Sequence, residues 1–209
     1  MTPGAEPHQV FASAVGGFTE LARLIPDSAW DGPGLGEWTV RDLVGHTSRA
    51  LTTVSTYLQH PTDRAADTDA VGYYVAVREI AAGLGSADVA ERGRQAGRDL
   101  GEHPVAAIEA LAARALADVD DAADADPVLE VIGGLRIRLG AYLPTRTFEL
   151  AVHCLDIAGA VGIDRSPPAA VLADAAALAA RVGVALGAGP AVLLTLTGRA
   201  TLPAGFTVV

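Results

Sequence analysis

Read along the chain, apolar positions recur at helical spacing over most of its length. Phe11, Ala14, Phe18, Leu21 and Ile25 fall at i, i+3, i+7, i+10 and i+14, the period of one helix face. They predict a first helix over 9–25, ended by Pro26. A loop rich in glycine and proline follows, up to Glu37. Trp38 then precedes Thr39-Val-Arg-Asp42, a capping signature that opens a second helix. Val40, Leu43, Val44, Thr47, Leu51, Val54 and Leu58 form its apolar face, and Pro61 closes it. Further helical stretches are expected over 71–84 and 87–100, with a break at 83–86, and over 105–119 behind Pro104, a residue tolerated in a first turn. Five aspartates within 118–126 read as a solvated acidic loop, because their spacing does not match a calcium-loop pattern. Runs rich in β-formers flank Gly133-Gly134 within 128–139 and read as a short hairpin. Pro144 marks the first turn of the next helix, ended by Gly159 and Gly162. Ser166-Pro167-Pro168 caps a long Ala-rich helix to about Leu186, and the runs 193–197 and 201–208 read as two strands around Gly198-Arg199. The chain is thus mainly α, with a boundary near Gly162: a helical bundle over 1–162, then a helix and two strands over 163–209.

The helix expected behind Pro144 differs from the others. Arg146, Glu149, His153 and Asp156 fall at i, i+3, i+7 and i+10, on one face. Phe148, Leu150, Ala151, Val152, Cys154, Leu155 and Ile157 make nearly everything else apolar. A surface helix shows a broad polar face; a thin polar line on a greasy helix reads as a buried helix whose polar line faces an internal site. Glu149 and His153 lie one turn apart and can converge as metal ligands, or as a base and its orienting partner. The same line also reads as the wet edge of an amphipathic helix, with Arg146 and Glu149 as an i, i+3 ion pair. His46 sits at the margin of the second helix's apolar stripe, where a histidine faces either a cavity or solvent. Joined to Glu149 and His153, it completes two imidazoles and one carboxylate, the ligand count of a catalytic zinc site with an open position. Cys154 points about 100° away from His153, into the apolar core. Trp38 reads as a staple for its loop, and His8, His60 and His103 as surface residues.

Composition narrows the function classes. The 209 residues suit one domain, or one with a small appendage. Net charge is −10, which argues against nucleic acid and anionic membranes as partners. All 15 basic residues are arginine, so lysine Schiff-base and lysine-nucleophile chemistry is excluded. The single cysteine, Cys154, allows no internal disulfide and is compatible with cytoplasm. Residues 1–8 carry no signal-peptide pattern. The apolar tract 169–196 is interrupted by Asp174, Arg181 and Pro190 and is not read as a membrane span.

Two blocks of the sequence resemble a known family. Gly36-Glu-Trp38-Thr-Val-Arg-Asp42-Leu-Val-Gly-His46 resembles the W-[ST]-V-x-[DE]-L-x-x-H segment of DinB-like metalloproteins. Arg146-x-x-Glu149-x-x-x-His153-x-x-Asp156 resembles the matching R-x-x-E-x-x-x-H-x-x-D segment of mycothiol-dependent maleylpyruvate isomerase-like proteins of actinobacteria. The resemblance implies a DinB-like up-down four-helix bundle; the isomerases resembled carry a complete small C-terminal α/β domain, whereas here a helix and two strand-like runs are expected, a small, incomplete C-terminal α/β appendage. It implies a divalent metal, usually zinc, held by His46, Glu149 and His153. Arg146 and Asp156 then read either as groups that orient those ligands or as a structural ion pair with neighbours. The resemblance also implies mycothiol as cosubstrate, a small electrophile as substrate, and a thiol S-transferase or isomerase reaction. The alternative on the same bundle is a binding or structural protein without catalysis. The two strand-like runs at the C-terminus leave an open edge, so a monomer or a homodimer is expected.

Overall fold

A computed structural model describes residues 6–83 and 86–208. The first helix, α1 (Pro7–Leu24), opens on a proline and buries Phe11, Val15, Phe18 and Leu21, the positions its apolar period selects. The loop behind it delivers Thr39, whose Oγ1 accepts a hydrogen bond from the Asp42 N–H at 3.1 Å while Asp42 Oδ2 accepts one from the Thr39 N–H at 3.0 Å. This reciprocal cap satisfies two of the orphan donors that every helix start leaves, and it fixes where α2 (Val40–Leu58) begins. Next come α3 (Ala70–Gly83), α4 (Ser86–Asp99) and α5 (Pro104–Ala122). The break expected at 83–86 falls on residues 84–85, outside the described residues, as do residues 1–5.

The hairpin is present: β1 (Val128–Glu130) pairs antiparallel with β2 (Arg136–Arg138), in a register that sets Leu129 opposite Ile137. Both side chains are fully buried. Between the strands, Gly133 and Gly134 both adopt positive φ, a conformation that side chains with a Cβ disfavour. From β2 the chain passes directly into α6 (Leu139–Val161). This helix begins before the expected Pro144, which lies inside it. Asp126 Oδ1 accepts from the Gly140 N–H at 2.8 Å, so a residue from before the hairpin caps a donor that Pro144 alone does not account for.

Helices α1, α2, α5 and α6 form a ring in which α1 and α2 each pack against both α5 and α6. Phe11, Phe18, Leu43, Leu51, Ile108 and Leu150 fill its interior with essentially no exposure. Burying each such side chain stabilises the fold by about 1.5–3 kcal/mol. Outside the ring, α4 lies along α2, while α3 crosses α6 and α7 (Ala169–Ala185). The helix α7 seals α6 with Val171, Leu178 and Val182, and α8 (Gly189–Leu196) rests on α7.

Two expectations are corrected. The run 193–197 is not a strand, since α8 occupies residues up to Leu196; nor is 201–208, where no strand is formed. The C-terminal region is therefore the helices α7 and α8 followed by an irregular stretch over 197–208, and the argument for dimerisation through a strand edge loses its basis. A short apolar run does not distinguish strand from helix by period, and Pro190 at the start of α8 suits a helical first turn. The acidic segment 118–126 is not all loop, because α5 continues through Ala122, anchored by buried Ala115 and Val119. Among the described residues no helix is long and apolar enough to cross a membrane.

Candidate metal centre

His46 occupies the second turn of α2, so the Thr39–Asp42 cap sets its height in the bundle. Trp38, just before the cap, lays its ring 4.7 Å from the His46 ring, centroid to centroid, at an interplanar angle of 34°. Its indole N–H donates to the Ala90 carbonyl of α4 at 3.0 Å. Trp38 therefore does act as a staple, from loop to α4, and it also walls one face of His46.

Glu149 and His153 lie on α6 one turn apart, and the fold brings His46 to them. One potential ligand atom from each of His46, Glu149 and His153 lies within 4.8 Å of the others. The His46 and His153 rings meet edge to face at 5.0 Å. Glu149 Oε2 lies 3.5 Å from His153 Nε2. Ligands on one tetrahedral zinc at about 2.1 Å stand roughly 3.4 Å apart, so the side chains need close by little more than an ångström. His46 Nδ1 is buried and has no hydrogen-bond partner. A buried polar nitrogen left so is costly, and in the tautomer whose Nδ1 carries the lone pair a cation satisfies it. Two imidazoles and a carboxylate, with an orphaned nitrogen among them, fit a divalent metal.

Each of the two α6 groups is held from its far side. His153 Nδ1 donates to Asp156 Oδ2 at 3.0 Å, which leaves Nε2 to face Glu149 and His46. The Tyr74 hydroxyl, from α3, donates to Glu149 Oε1 at 2.7 Å and lies 3.0 Å from the Thr145 carbonyl. Carboxylate-to-imidazole and hydroxyl-to-carboxylate bonds of this kind fix the orientation of metal ligands.

The charges follow from these contacts. Burial lowers the His46 pKa to about 4, helped by the neighbouring His153 charge, so His46 is neutral. Burial also pulls His153 down, but hydrogen bonds to Asp156 and Glu149 outweigh it and raise His153 to about 9. For Glu149, burial pushes upward, but the His153 hydrogen bond, the Arg146 charge and the Tyr74 hydroxyl prevail and bring it to about 2. Burial pushes the Cys154 thiol up to about 12. Cys154 sits in the core, 5% exposed, as its direction on the helix predicts, and its thiol stays protonated there.

Arg146 does not form the ion pair with Glu149 that its spacing allows. It turns inward, donating through Nε to Thr145 Oγ1 and through Nη2 to the Tyr73 hydroxyl, both at 3.0 Å. Its guanidinium stacks 4.8 Å from the Tyr142 ring and 5.3 Å from the Tyr73 ring. A cavity of about 180 Å³ opens beside it, touching His46 and Glu149.

A comparison with protein-family models matches residues 11–158 to the mycothiol maleylpyruvate isomerase N-terminal domain. The chain belongs to that family. The match spans most of the chain and carries the DinB-like helical fold. No curated protein and no solved structure matched the chain. All of His46, Glu149, His153, Arg146 and Asp156 lie within the span that matches the mycothiol maleylpyruvate isomerase N-terminal domain, while α7 and α8 lie beyond it.

Sequence reasoning missed Tyr73, Tyr74, Tyr142 and Arg49, which surround the site. Two of them left a signal. Tyr142 is four residues before Arg146, and Arg49 is three after His46, so each shares a helix face with a residue already singled out. Tyr73 and Tyr74 left none, because only tertiary packing brings α3 to this end of α6.

Proposed function

We propose that the chain is a divalent-metal-dependent enzyme that joins a thiol cosubstrate, mycothiol, to a small electrophile. The ligands are His46, Glu149 and His153, and zinc is the ion that two imidazoles and one carboxylate suit best. The observation that carries this reading is their convergence at the edge of a cavity, on a domain whose family takes its name from a mycothiol-dependent reaction. An ion held there supplies positive charge that lowers the pKa of a bound thiol.

The other roles belong to the chain's own residues. Asp156 keeps the proton on His153 Nδ1 and so keeps Nε2 directed at the site. Tyr74 holds one oxygen of Glu149 and leaves the other facing His153. The neutral His46 keeps a lone pair. The cavity beside them holds the electrophile. A thiol adduct that is released makes the protein an S-transferase. One that rotates about its new single bond and expels the thiol makes it an isomerase.

Metal analysis of the purified protein tests the reading: about one equivalent of ion per chain is expected, lost in His46→Ala without loss of helix content. Mass spectrometry after incubation with mycothiol and a panel of electrophiles should show a conjugate or an isomerised product. A protein that refuses added zinc and tolerates His46→Ala unchanged is a binding or structural bundle instead.

A further inference from the structure

A second cavity shares no lining residue with the one at the candidate metal centre. It measures about 400 Å³ and is bounded by α7, α8 and the segment behind α8, with the buried Phe148 of α6 as a further wall. On α7, Ala176, Ala179 and Ala180 fall at i, i+3 and i+4, one helix face, and side chains that stop at Cβ leave the room. The segment behind α8 contributes Leu202 and Phe206 and is tied to α3, where Arg78 donates through Nη1 to the Thr207 carbonyl at 3.2 Å. We propose that this cavity binds a neutral, mainly apolar small molecule, the size of two fused rings, that carries one hydroxyl or carbonyl group.

Size and charge select the class of occupant. An apolar cavity of about 150 Å³ admits one benzene ring. One of about 400 Å³ therefore admits a molecule of two rings, and it falls within the roughly 300–1,000 Å³ of small-molecule sites. The chain has 25 acidic and 15 basic residues, yet among the described residues none that lines this cavity is charged. Moving an ion from water into such a lining leaves it without a counter-charge or enough hydrogen bonds, so the cavity favours neutral ligands. Water inside it finds few polar partners, and an apolar group gains by displacing poorly held water.

Thr195 supplies the polar contact. A threonine inside a helix ordinarily turns its hydroxyl to a carbonyl three or four residues back. Thr197 does so, its Oγ1 donating to the Leu193 carbonyl at 2.8 Å. Thr195 does not: its Oγ1 is buried and has no hydrogen-bond partner, a costly state for a hydroxyl. Thr195 also lines the cavity. Rotation about its Cα–Cβ bond exchanges hydroxyl and methyl and presents Oγ1 to a polar group on a bound molecule, which satisfies both. The site rests on neither the metal nor the thiol proposed above.

Equilibrium dialysis of the full-length, EDTA-treated protein against 2-naphthol tests the proposal, with naphthalene and 2-naphthoate as controls. One 2-naphthol per chain should bind, naphthalene several-fold more weakly, and the charged 2-naphthoate at least about tenfold more weakly. Thr195→Val keeps the shape and removes the hydroxyl. It should weaken 2-naphthol several-fold, up to about tenfold, the scale of one neutral hydrogen bond, and leave naphthalene unchanged. Ala180→Phe puts a ring into the cavity and should abolish binding of both. Ala176→Leu, at an exposed position of the same wall, should weaken both with an unchanged circular dichroism spectrum, and it decides the matter if Ala180→Phe fails to fold. Absence of 2-naphthol binding, 2-naphthoate binding as tight as 2-naphthol, or indifference to Thr195→Val each overturns the proposal. Binding that survives both alanine substitutions lies elsewhere on the protein and overturns it too. So does sedimentation velocity that shows a dimer excluding 2-naphthol, which assigns the surface to a second copy of the chain.

Discussion

At the scale of residues, the site is a set of positions held in pairs. His153 is aimed by Asp156, and Glu149 by Tyr74. Only the first pair could be read from spacing, because i, i+3 on one helix brings two side chains together wherever the helix goes. The second joins residues 75 positions apart, and no local pattern encodes it. Tyr74→Phe removes a hydroxyl and keeps the ring, whose edge-to-face contacts with Phe148 and Tyr73 remain. It should therefore cost stability about 1.5–3 kcal/mol, the scale of a hydrogen bond to a charged group, and weaken zinc affinity by roughly 10–100-fold, the usual effect of losing a group that orients a ligand. Competition against a chelating dye measures the affinity; an unchanged value would show that Tyr74 positions nothing.

At the scale of elements, α2 and α4 approach so closely that glycine is required between them. A Cβ added at Gly45 would stand 2.2 Å from the Gly97 nitrogen and 2.5 Å from the Ala96 carbonyl carbon. Both are backbone atoms and cannot swing aside. Gly45 is also the neighbour of His46, and α4 holds Trp38 through Ala90, so parting the helices disturbs the site. Gly45→Ala should destabilise the protein by about 3 kcal/mol or more, at the upper end of overpacking costs. Gly16→Ala is the control: no neighbour lies within 4 Å of its Cβ, and removing a helical glycine should stabilise by up to about 1 kcal/mol. Thermal melts decide it, and equal melting temperatures for the two variants would refute the close-packing argument. The hydrophobic period revealed both helices and the Thr39 cap. It could not reveal their separation, which depends on what each glycine faces.

At the scale of the whole molecule, the centre makes stability depend on pH in two opposed ways. The folded His46 pKa is about 4, below an unfolded value near 6.5. The unfolded chain therefore binds this proton more readily, and stability rises with pH between about 4 and 6.5. The folded His153 pKa is about 9, above the same reference. Its contribution is complete below about pH 6.5 and is lost as pH rises through 9. Each shift corresponds to an effect on the order of 3 kcal/mol. The metal-free protein should thus melt highest near pH 6.5 and lose stability on both sides. Added zinc should abolish the alkaline fall, because ligation takes the place of the proton on His153 and releases it. Melting curves at pH 6.5 and 8.5, with EDTA and with zinc, check this; a metal-free protein as stable at pH 8.5 as at 6.5 contradicts the charge assignment.

The chain by itself determined the mainly helical character, the start of α2, the hairpin around Gly133-Gly134, and the Glu149–His153 pair; His46 joined that pair only through the resemblance of its block to the family and through the packing of α2 on α6. Those features rest on local rules: a repeat near 3.6, a reciprocal cap, a left-handed glycine pair, and ligands one turn apart on a helix with too few polar residues to be a surface one. Tertiary structure alone decided the rest. It began α6 at Leu139, where Asp126 caps Gly140 from across the hairpin, and it made α8 a helix where the apolar run 193–197 was equally compatible with a strand. It also turned Arg146 away from Glu149, between two tyrosines. The last difference has the clearest physical reason: spacing along a helix says which side chains can touch, but a buried guanidinium takes its partners from whatever elements the fold packs around it.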